Sequence, residues 1–405
     1  MSESYYLNPL YRQGSATLAL DTQVKALQAA GHEIRNLGVG ELAFDAPAHI
    51  QRALHEAIDA GKTRYTAVKG APDLLDAIRA KFERDYRLTY TRDQVIASTG
   101  LKQGIDNLFA VALRPGDVVL IPTPCWVGYE PVVNKYGGVC QFIPCSSEND
   151  YKLTAEQLKQ AITPETQWLI LNSPGNPTGS VYTRKDLEGI AQVLLDNPHV
   201  RIFLDDIYEK LVFDGHEFCS LLTVAPDLMD RVVVGNGISK AYALTGLRLG
   251  FVAGSKETIG AMSNHQSIVT SNPCSLSQWG AIAALNGDHS FLQQDWVPEL
   301  QERRDVLVEG LNAIDGFSAK TPAGSFYVPV NCSGWINRVT PDNNLLTDDT
   351  KVAEYLLHEA GVAVMFGSAF RWGEPALRWS VNLGQDDLKR ACELVDVAGR
   401  RLVAR

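Results

Sequence analysis

QWLILNSPGNPTG, residues 167–179, sets a short apolar run against an abrupt polar turn. Gln167–Leu171 is continuously apolar after its first residue, which predicts a strand buried on both faces rather than one with a solvent side. Asn172 to Gly179 then packs two prolines and two glycines into one irregular turn, from which Asn176 can present its amide to a ligand. By itself this turn equally fits a plain connecting loop. Working outward, Thr154-x-x-Gln157 has the form of a capping box opening a helix before the strand, and Thr183 opens another after it.

The same alternation extends in both directions. Pro72 to Arg87 reads as a helix with Leu74, Leu75, Ile78 and Phe82 at helical spacing, and Leu101 to Leu113 as a second. Short apolar strands are predicted at Gln94–Ser98, Asp117–Ile121, Ile202–Asp205 and Val232–Val234. Strands alternating with helices imply an α/β fold with a mostly parallel sheet flanked by helices. The C-terminal part differs. A long helical pattern covers Phe291 to Ile314, short strands follow at Ser325–Val330, Val362–Met365 and Leu377–Val381, and a last helix begins near Asp386. The polar stretch Gly334–Asp349 predicts a loop. The expected division is a large domain over 46–290 and a smaller α+β domain from 1–45 and 291–405, the first piece being an N-terminal arm.

A chain of 405 residues is too long for one small core and suits a large domain with a lesser one. Its 37 basic against 47 acidic residues give a net charge of −10, which argues against a nucleic-acid binder. The N-terminus lacks a basic segment followed by an apolar core, so no secretory leader is expected. No apolar run approaches the roughly 20 residues of a membrane span. Seven scattered cysteines without CxxC spacing fit reduced thiols in the cytoplasm better than a metal site or a disulfide framework.

Ligands of open α/β sheets bind beyond the carboxyl ends of the strands, and three polar segments fall there. Asn172–Gly179 is the first. Asp205-Asp206-Ile207-Tyr208 is the second: two carboxylates leaving a buried strand need partners. No histidine follows at ligand spacing, so a cationic ring nitrogen suits one carboxylate better than a metal. The third is Gly235 to Phe251, where Lys240 follows an apolar strand and Arg248 lies between two glycines. Gly235-Asn236-Gly237 imitates a dinucleotide fingerprint, but Lys240 replaces its third glycine and no acidic residue follows about 20 positions on. Gly38-Val39-Gly40 fails in the same way.

These segments, in this order and together with Gly-Lys-Thr-Arg-Tyr-Thr at 61–66, resemble the fold-type I enzymes that use pyridoxal 5'-phosphate (PLP), specifically the aspartate aminotransferase family of class I/II aminotransferases. The similarity spans about Ala16 to Leu402. It implies that Lys240 holds the cofactor covalently as a Schiff base and then moves the proton at the substrate Cα. Asp205 matches the carboxylate that keeps the ring nitrogen protonated, making the ring an electron sink, and Asp206 fills a structural slot beside it. Tyr208 and Asn176 match the residues bonding the ring oxygen, and Asn176 also borders the substrate. Gly100 and Leu101, opening a helix, with Arg248, match the phosphate site. Relatives often carry serine three residues before the lysine; here that position is Gly237, and one hydroxyl ligand is lost. Tyr65 resembles a tyrosine reaching the phosphate from a second subunit, which implies a homodimer with shared sites, and Thr270 resembles a further contact of that kind. Trp126 matches the aromatic stacked on the ring, although a tryptophan there equally fits core filling. Arg378 matches the arginine for the substrate α-carboxylate, near the Gly40 backbone, although in a strand it also fits an outward charge.

Lys102, after the phosphate turn, stands where one branch of the family meets a distal substrate carboxylate; a surface lysine at a helix start is the plainer reading. The implied function is transfer of an amino group from an L-amino acid, aspartate or glutamate among the candidates, to a 2-oxo acid by a ping-pong mechanism. A PLP-dependent lyase, decarboxylase or oxidase on the same fold is the alternative. A non-catalytic PLP-binding regulatory module and a nicotinamide oxidoreductase are further from the pattern.

Overall fold

Thirteen strands form three sheets in the computed structural model, which describes Gly14 and residues 16–404; the rest of the predicted N-terminal arm lies outside the described residues. In chain order they are β1 Arg35–Asn36, β2 Val95–Thr99, β3 Val118–Thr123, β4 Val139–Pro144, β5 Thr166–Asn172, β6 Arg201–Asp205 and β7 Val232–Gly237. Then come β8 Leu249–Ala253, β9 Ser318–Ala319, β10 Tyr327–Asn331, β11 Val362–Ala363, β12 Met365–Phe366 and β13 Ala376–Ser380. The large sheet has the order β2-β8-β7-β6-β5-β3-β4. It is parallel from β7 to β4, and β8 is antiparallel to both its neighbours.

The unbroken apolar run in β5 has the predicted cause. Trp168 and Ile170 enter one hydrophobic cluster, and Leu169 and Leu171 enter the other. Phe203 and Val233 follow the first pair, and Ile202, Leu204, Val232 and Val234 the second. Alternate side chains thus feed opposite faces, and helices cover both. Helix Gly100–Ala112 supplies Leu101, Ile105, Leu108 and Phe109 to one face; helices Pro72–Tyr86 and Arg184–Leu195 cover the other. Both capping boxes form: Thr154 Oγ1 accepts the Gln157 N–H at 3.1 Å, and Thr183 Oγ1 accepts the Asp186 N–H at 3.2 Å. Each cap contributes about 1 kcal/mol.

The C-terminal strands form an antiparallel sheet in the order β12-β13-β10-β9, and β1 pairs in parallel with β11. Two predicted elements divide. The strand expected at Val362–Met365 becomes β11 and β12, which belong to different sheets on either side of Val364. The helix expected over Phe291–Ile314 begins as a wider π turn at Leu292–Trp296 and continues as an α-helix over Val297–Asn312. Pro298 has no N–H to give to the turn before it, so the α-helical ladder cannot run unbroken through that point. Strand β10 starts two residues later than predicted because Ser325 takes a left-handed conformation, φ 59°. Among the described residues, no helix is long and apolar enough to cross a membrane.

Candidate active site

Strands β2, β3, β5, β6 and β7 all end at the same edge of the large sheet, and antiparallel β8 begins there. This topology brings together six segments far apart in sequence: the Gly100 turn, the Trp126 loop, the Asn176 loop, Asp205, Lys240 and Arg248. From the smaller sheet, β13 adds Arg378 and β10 adds Tyr327.

Lys240 lies in the turn after β7, half-buried, and its Nζ donates to the carbonyl oxygen of Gly40 at 2.5 Å. No carboxylate pairs with it among the described residues. Desolvation, with Arg378 and Arg248 nearby, draws its pKa down to about 8. A substantial fraction of this amine is therefore neutral near physiological pH, the state a nucleophile or base requires.

Asp205 terminates β6 at 5% exposure. Its Oδ2 accepts the Tyr129 hydroxyl at 2.7 Å and Oδ1 accepts the Ile207 N–H at 3.4 Å. Burial pushes its pKa up to about 6, against the pull of the Tyr129 bond. Among the described residues no cation forms a salt bridge with it. Asp206 points instead into a separate buried cluster with Tyr86, Glu209 and Ser220.

Arg378 is buried at 2% exposure without an acidic partner among the described residues. Nη1 donates to Asn176 Oδ1 at 3.2 Å and Nη2 to the Gly38 carbonyl at 2.6 Å, while Nε has no partner among the described residues. The guanidinium lies 4.3 Å from the Tyr327 ring centroid and 4.9 Å from that of Phe370. Asn176 Nδ2 donates to the Tyr208 hydroxyl at 3.5 Å, and the Tyr208 and Tyr327 hydroxyls are 3.1 Å apart.

Gly100 opens its helix at φ 75°, and a Cβ there would stand 2.6 Å from Arg248 Nη2. The guanidinium therefore lies directly on the glycine, beside the N-terminus of the helix and the Leu101 backbone. Arg248 also donates to the Thr245 carbonyl at 2.8 Å. Gly237, read from the sequence as a departure from the serine often found there, leaves no room for a side chain. A Cβ would lie 2.9 Å from the Leu249 carbonyl oxygen and 3.0 Å from the Gly250 Cα.

Lys102, in the first turn of the same helix, has Nζ 5.4 Å from the Trp126 ring centroid. Its side chain is exposed, and partial desolvation together with Arg248 holds its pKa below the usual lysine range. Trp126 packs edge-on with Tyr129 and over Gly128. Tyr65 is set apart from the cluster, 91% exposed. Thr270 accepts from Gln103 Nε2 at 2.6 Å, and Gln103 Oε1 accepts the Thr99 N–H at 2.6 Å, so Thr270 is tied to the Gly100 turn of its own chain.

Sequence reasoning missed Tyr129, Tyr327 and Gln103. Tyr129 had a usable signal, because a buried carboxylate at the end of β6 requires a donor. Tyr327 had none, being one aromatic residue in an apolar strand.

A weakly basic lysine above the carboxyl edge of a mostly parallel sheet, with a buried carboxylate and an anion-ready helix start, neither charge salt-bridged among the described residues, is the arrangement that a PLP-dependent enzyme of fold-type I requires. The sequence model of the family "Aminotransferase class I and II" matches residues 32–395, and the chain belongs to that family. It is a PLP-dependent aminotransferase. It is 42% identical over 388 residues to an aspartate aminotransferase of Rhizobium meliloti, covering 96% of this chain and 94% of the relative. It is 45% identical over 378 residues to an aspartate/prephenate aminotransferase of Cereibacter sphaeroides, covering 93% and 94%. The crystal structure of an aspartate aminotransferase from Rhizobium meliloti superimposes with a TM-score of 0.93 at 41% identity, covering 98% of this chain and 99% of that one. A Thermus thermophilus aspartate aminotransferase with maleate gives 0.89 at 34% identity, covering 97% and 99%.

Proposed function

We propose that this aminotransferase acts on dicarboxylic amino acids such as aspartate or glutamate, passing the amino group to a 2-oxo acid in a ping-pong cycle. The observation that carries this reading is a pair of cations without acidic partners among the described residues, Arg378 against Asn176 and Lys102 against the Trp126 ring. Two separated cations suit a substrate with two carboxylates. A 34% identical relative is described with maleate, itself a dicarboxylate.

The residues present fit the cofactor. Asp205 is a buried carboxylate in need of a cation, and a protonated ring nitrogen is one. The Gly100 and Leu101 N–H groups, with Arg248, fit a phosphate. Tyr208 and Asn176 would hold the ring oxygen, Trp126 would pack on the ring, and Lys240 would carry the cofactor. When bound, PLP supplies an electron-poor ring that takes up the electron pair released at the substrate Cα. Arg378 then orients the α-carboxylate from the Gly38–Gly40 side, and Asn176 steadies it. Lys240 Nζ would remove the Cα proton and deliver it to the cofactor's C4' carbon instead of returning it to Cα. Lys102 reaches for the distal carboxylate.

A second copy completes the site in this reading. Tyr65 is 91% exposed, and Ile268 and Val269 are 86% and 56% exposed, so both segments offer apolar surface to a second copy. Gln266 ties the two segments together through the Val68 carbonyl at 2.8 Å. The division into 46–290 against 1–45 with 291–405 is supported by the sheets, since β2 to β8 fall within the first part and β9 to β13 within the second. Seven free cysteines support a cytoplasmic setting.

The test is a single-turnover panel of amino acids against the purified holoenzyme, read by release of the matching 2-oxo acid. Aspartate or glutamate should react fastest. Faster release from neutral aliphatic donors would overturn the dicarboxylate reading.

A further inference from the structure

Tyr327 touches three groups of the site and has no role in the reading above. It is 1% exposed, its hydroxyl lies 3.1 Å from that of Tyr208, and its ring lies under the Arg378 guanidinium at 4.3 Å. A Cβ on Gly40 would stand 2.8 Å from its hydroxyl, so the phenol also closes the space beside the backbone that holds Lys240. We propose that Tyr327 is a positioning residue that directs the Tyr208 hydroxyl toward the cofactor's ring oxygen, on the same side chain that carries the substrate arginine.

Proton inventory sets the direction of the bond between the two hydroxyls. A phenol has one proton to donate and two lone pairs to accept with. Between two facing hydroxyls only one proton is shared. If Tyr208 donated to Tyr327, its proton would be spent within the protein. If Tyr327 donates, Tyr208 accepts from Tyr327 and from Asn176 Nδ2, and its own proton is free to point elsewhere. The second arrangement follows from the surroundings. A guanidinium against a ring face withdraws electron density and makes that phenol the better donor. Burial raises both phenols and Arg378 opposes the rise at each, but its guanidinium lies over the Tyr327 ring. Accepting a hydrogen bond also strengthens Tyr208 as a donor. A well-bonded ring oxygen holds the proton it shares with the lysine-linked nitrogen less tightly, so the donor chain lowers the pH at which that proton leaves.

This inference rests on the proposed placement of the cofactor at Lys240. Its test is the pH titration of the cofactor's visible absorbance in the holoenzyme, without substrate. Tyr327→Phe keeps the ring under Arg378 and removes only the hydroxyl. The midpoint should rise by about half a pH unit, the size expected for one weakened hydrogen bond, while KM for the amino donor changes less than about twofold. Tyr327→Leu also removes the ring and should raise KM about fivefold or more, since a desolvated cation–π contact is lost. An unchanged or lower midpoint in Tyr327→Phe would overturn the donor assignment. Equal KM in the Leu and wild-type proteins would overturn the arginine half. Retention of the covalent absorbance band in Lys240→Ala would instead overturn the site reading beneath it, and this inference with it.

Discussion

The guanidinium of Arg378 donates to Asn176 Oδ1 at 3.2 Å across 202 residues of sequence. This bond joins the antiparallel sheet to the irregular turn after β5, while Arg378 Nε is buried without a partner among the described residues. Arg378→Lys keeps the charge but loses the planar fork. The expected result is a 10- to 100-fold fall in kcat/KM, about 1.5–3 kcal/mol for a charged hydrogen bond, seen mainly as a higher KM. Steady-state kinetics with the best donor measures it; a fall confined to kcat would contradict a substrate-binding role.

Lys102→Ala should lower kcat/KM about tenfold for dicarboxylic donors, the worth of one partly solvated charged contact, and leave neutral donors within about twofold. The comparison needs both donor classes on the same preparation. An equal loss for the two would reduce Lys102 to a surface lysine.

Asp205 carries a pH signature in the cofactor-free protein. Its folded pKa of about 6 lies above the unfolded value of about 3.9, so the folded state binds the proton more tightly. That contribution is fully present below the unfolded pKa and is lost as pH rises through 6. Asp205→Asn removes the slope. Relative to wild type, the variant should gain stability between pH 4 and 6, reaching about 2–3 kcal/mol above it, while losing transaminase activity. Urea unfolding at stepped pH reads the difference, and parallel pH profiles would count against an unpaired buried carboxylate.

Gly237→Ser restores the hydroxyl that relatives often carry, yet here the new Cβ meets the Leu249 carbonyl oxygen at 2.9 Å. The expected outcome is a loss of about 1–3 kcal/mol, the usual cost of overpacking, without tighter cofactor binding. Thermal denaturation and cofactor titration test the two halves separately.

Much of the large sheet was legible because its residues are buried on both faces. An apolar run such as Trp168–Leu171 has few other readings once helices flank it. The motifs after β5, β6 and β7 were legible because prolines, paired carboxylates and a lone lysine are costly in those places. Strand direction was not. Leu249–Ala253 is apolar throughout, and nothing in its composition distinguishes antiparallel from parallel pairing. Val362–Met365 reads as one strand because period two is blind to a change of partner. Tyr327 was hidden for a related reason: Arg378 pairs opposite Pro329, and Tyr327 meets it only as the diagonal neighbour on the same face. Such a contact belongs to the register, which a sequence does not display.

The place of β8 also bears on how the protein is made. It is the last strand of its sheet in the chain, yet it sits between β2, the first, and β7. A ribosome adding about 5–20 residues per second delivers Leu249 roughly 8–30 s after Thr99. Until then β2 has no partner, and Arg248 has not arrived beside Gly100. A nascent chain halted just short of Leu249 would contain Lys240, Asp205 and Asn176 but lack the strand that closes the sheet around them. Assembly of the large-sheet side of the candidate site is thus timed to the end of large-sheet synthesis, and Tyr327 and Arg378 join it only later.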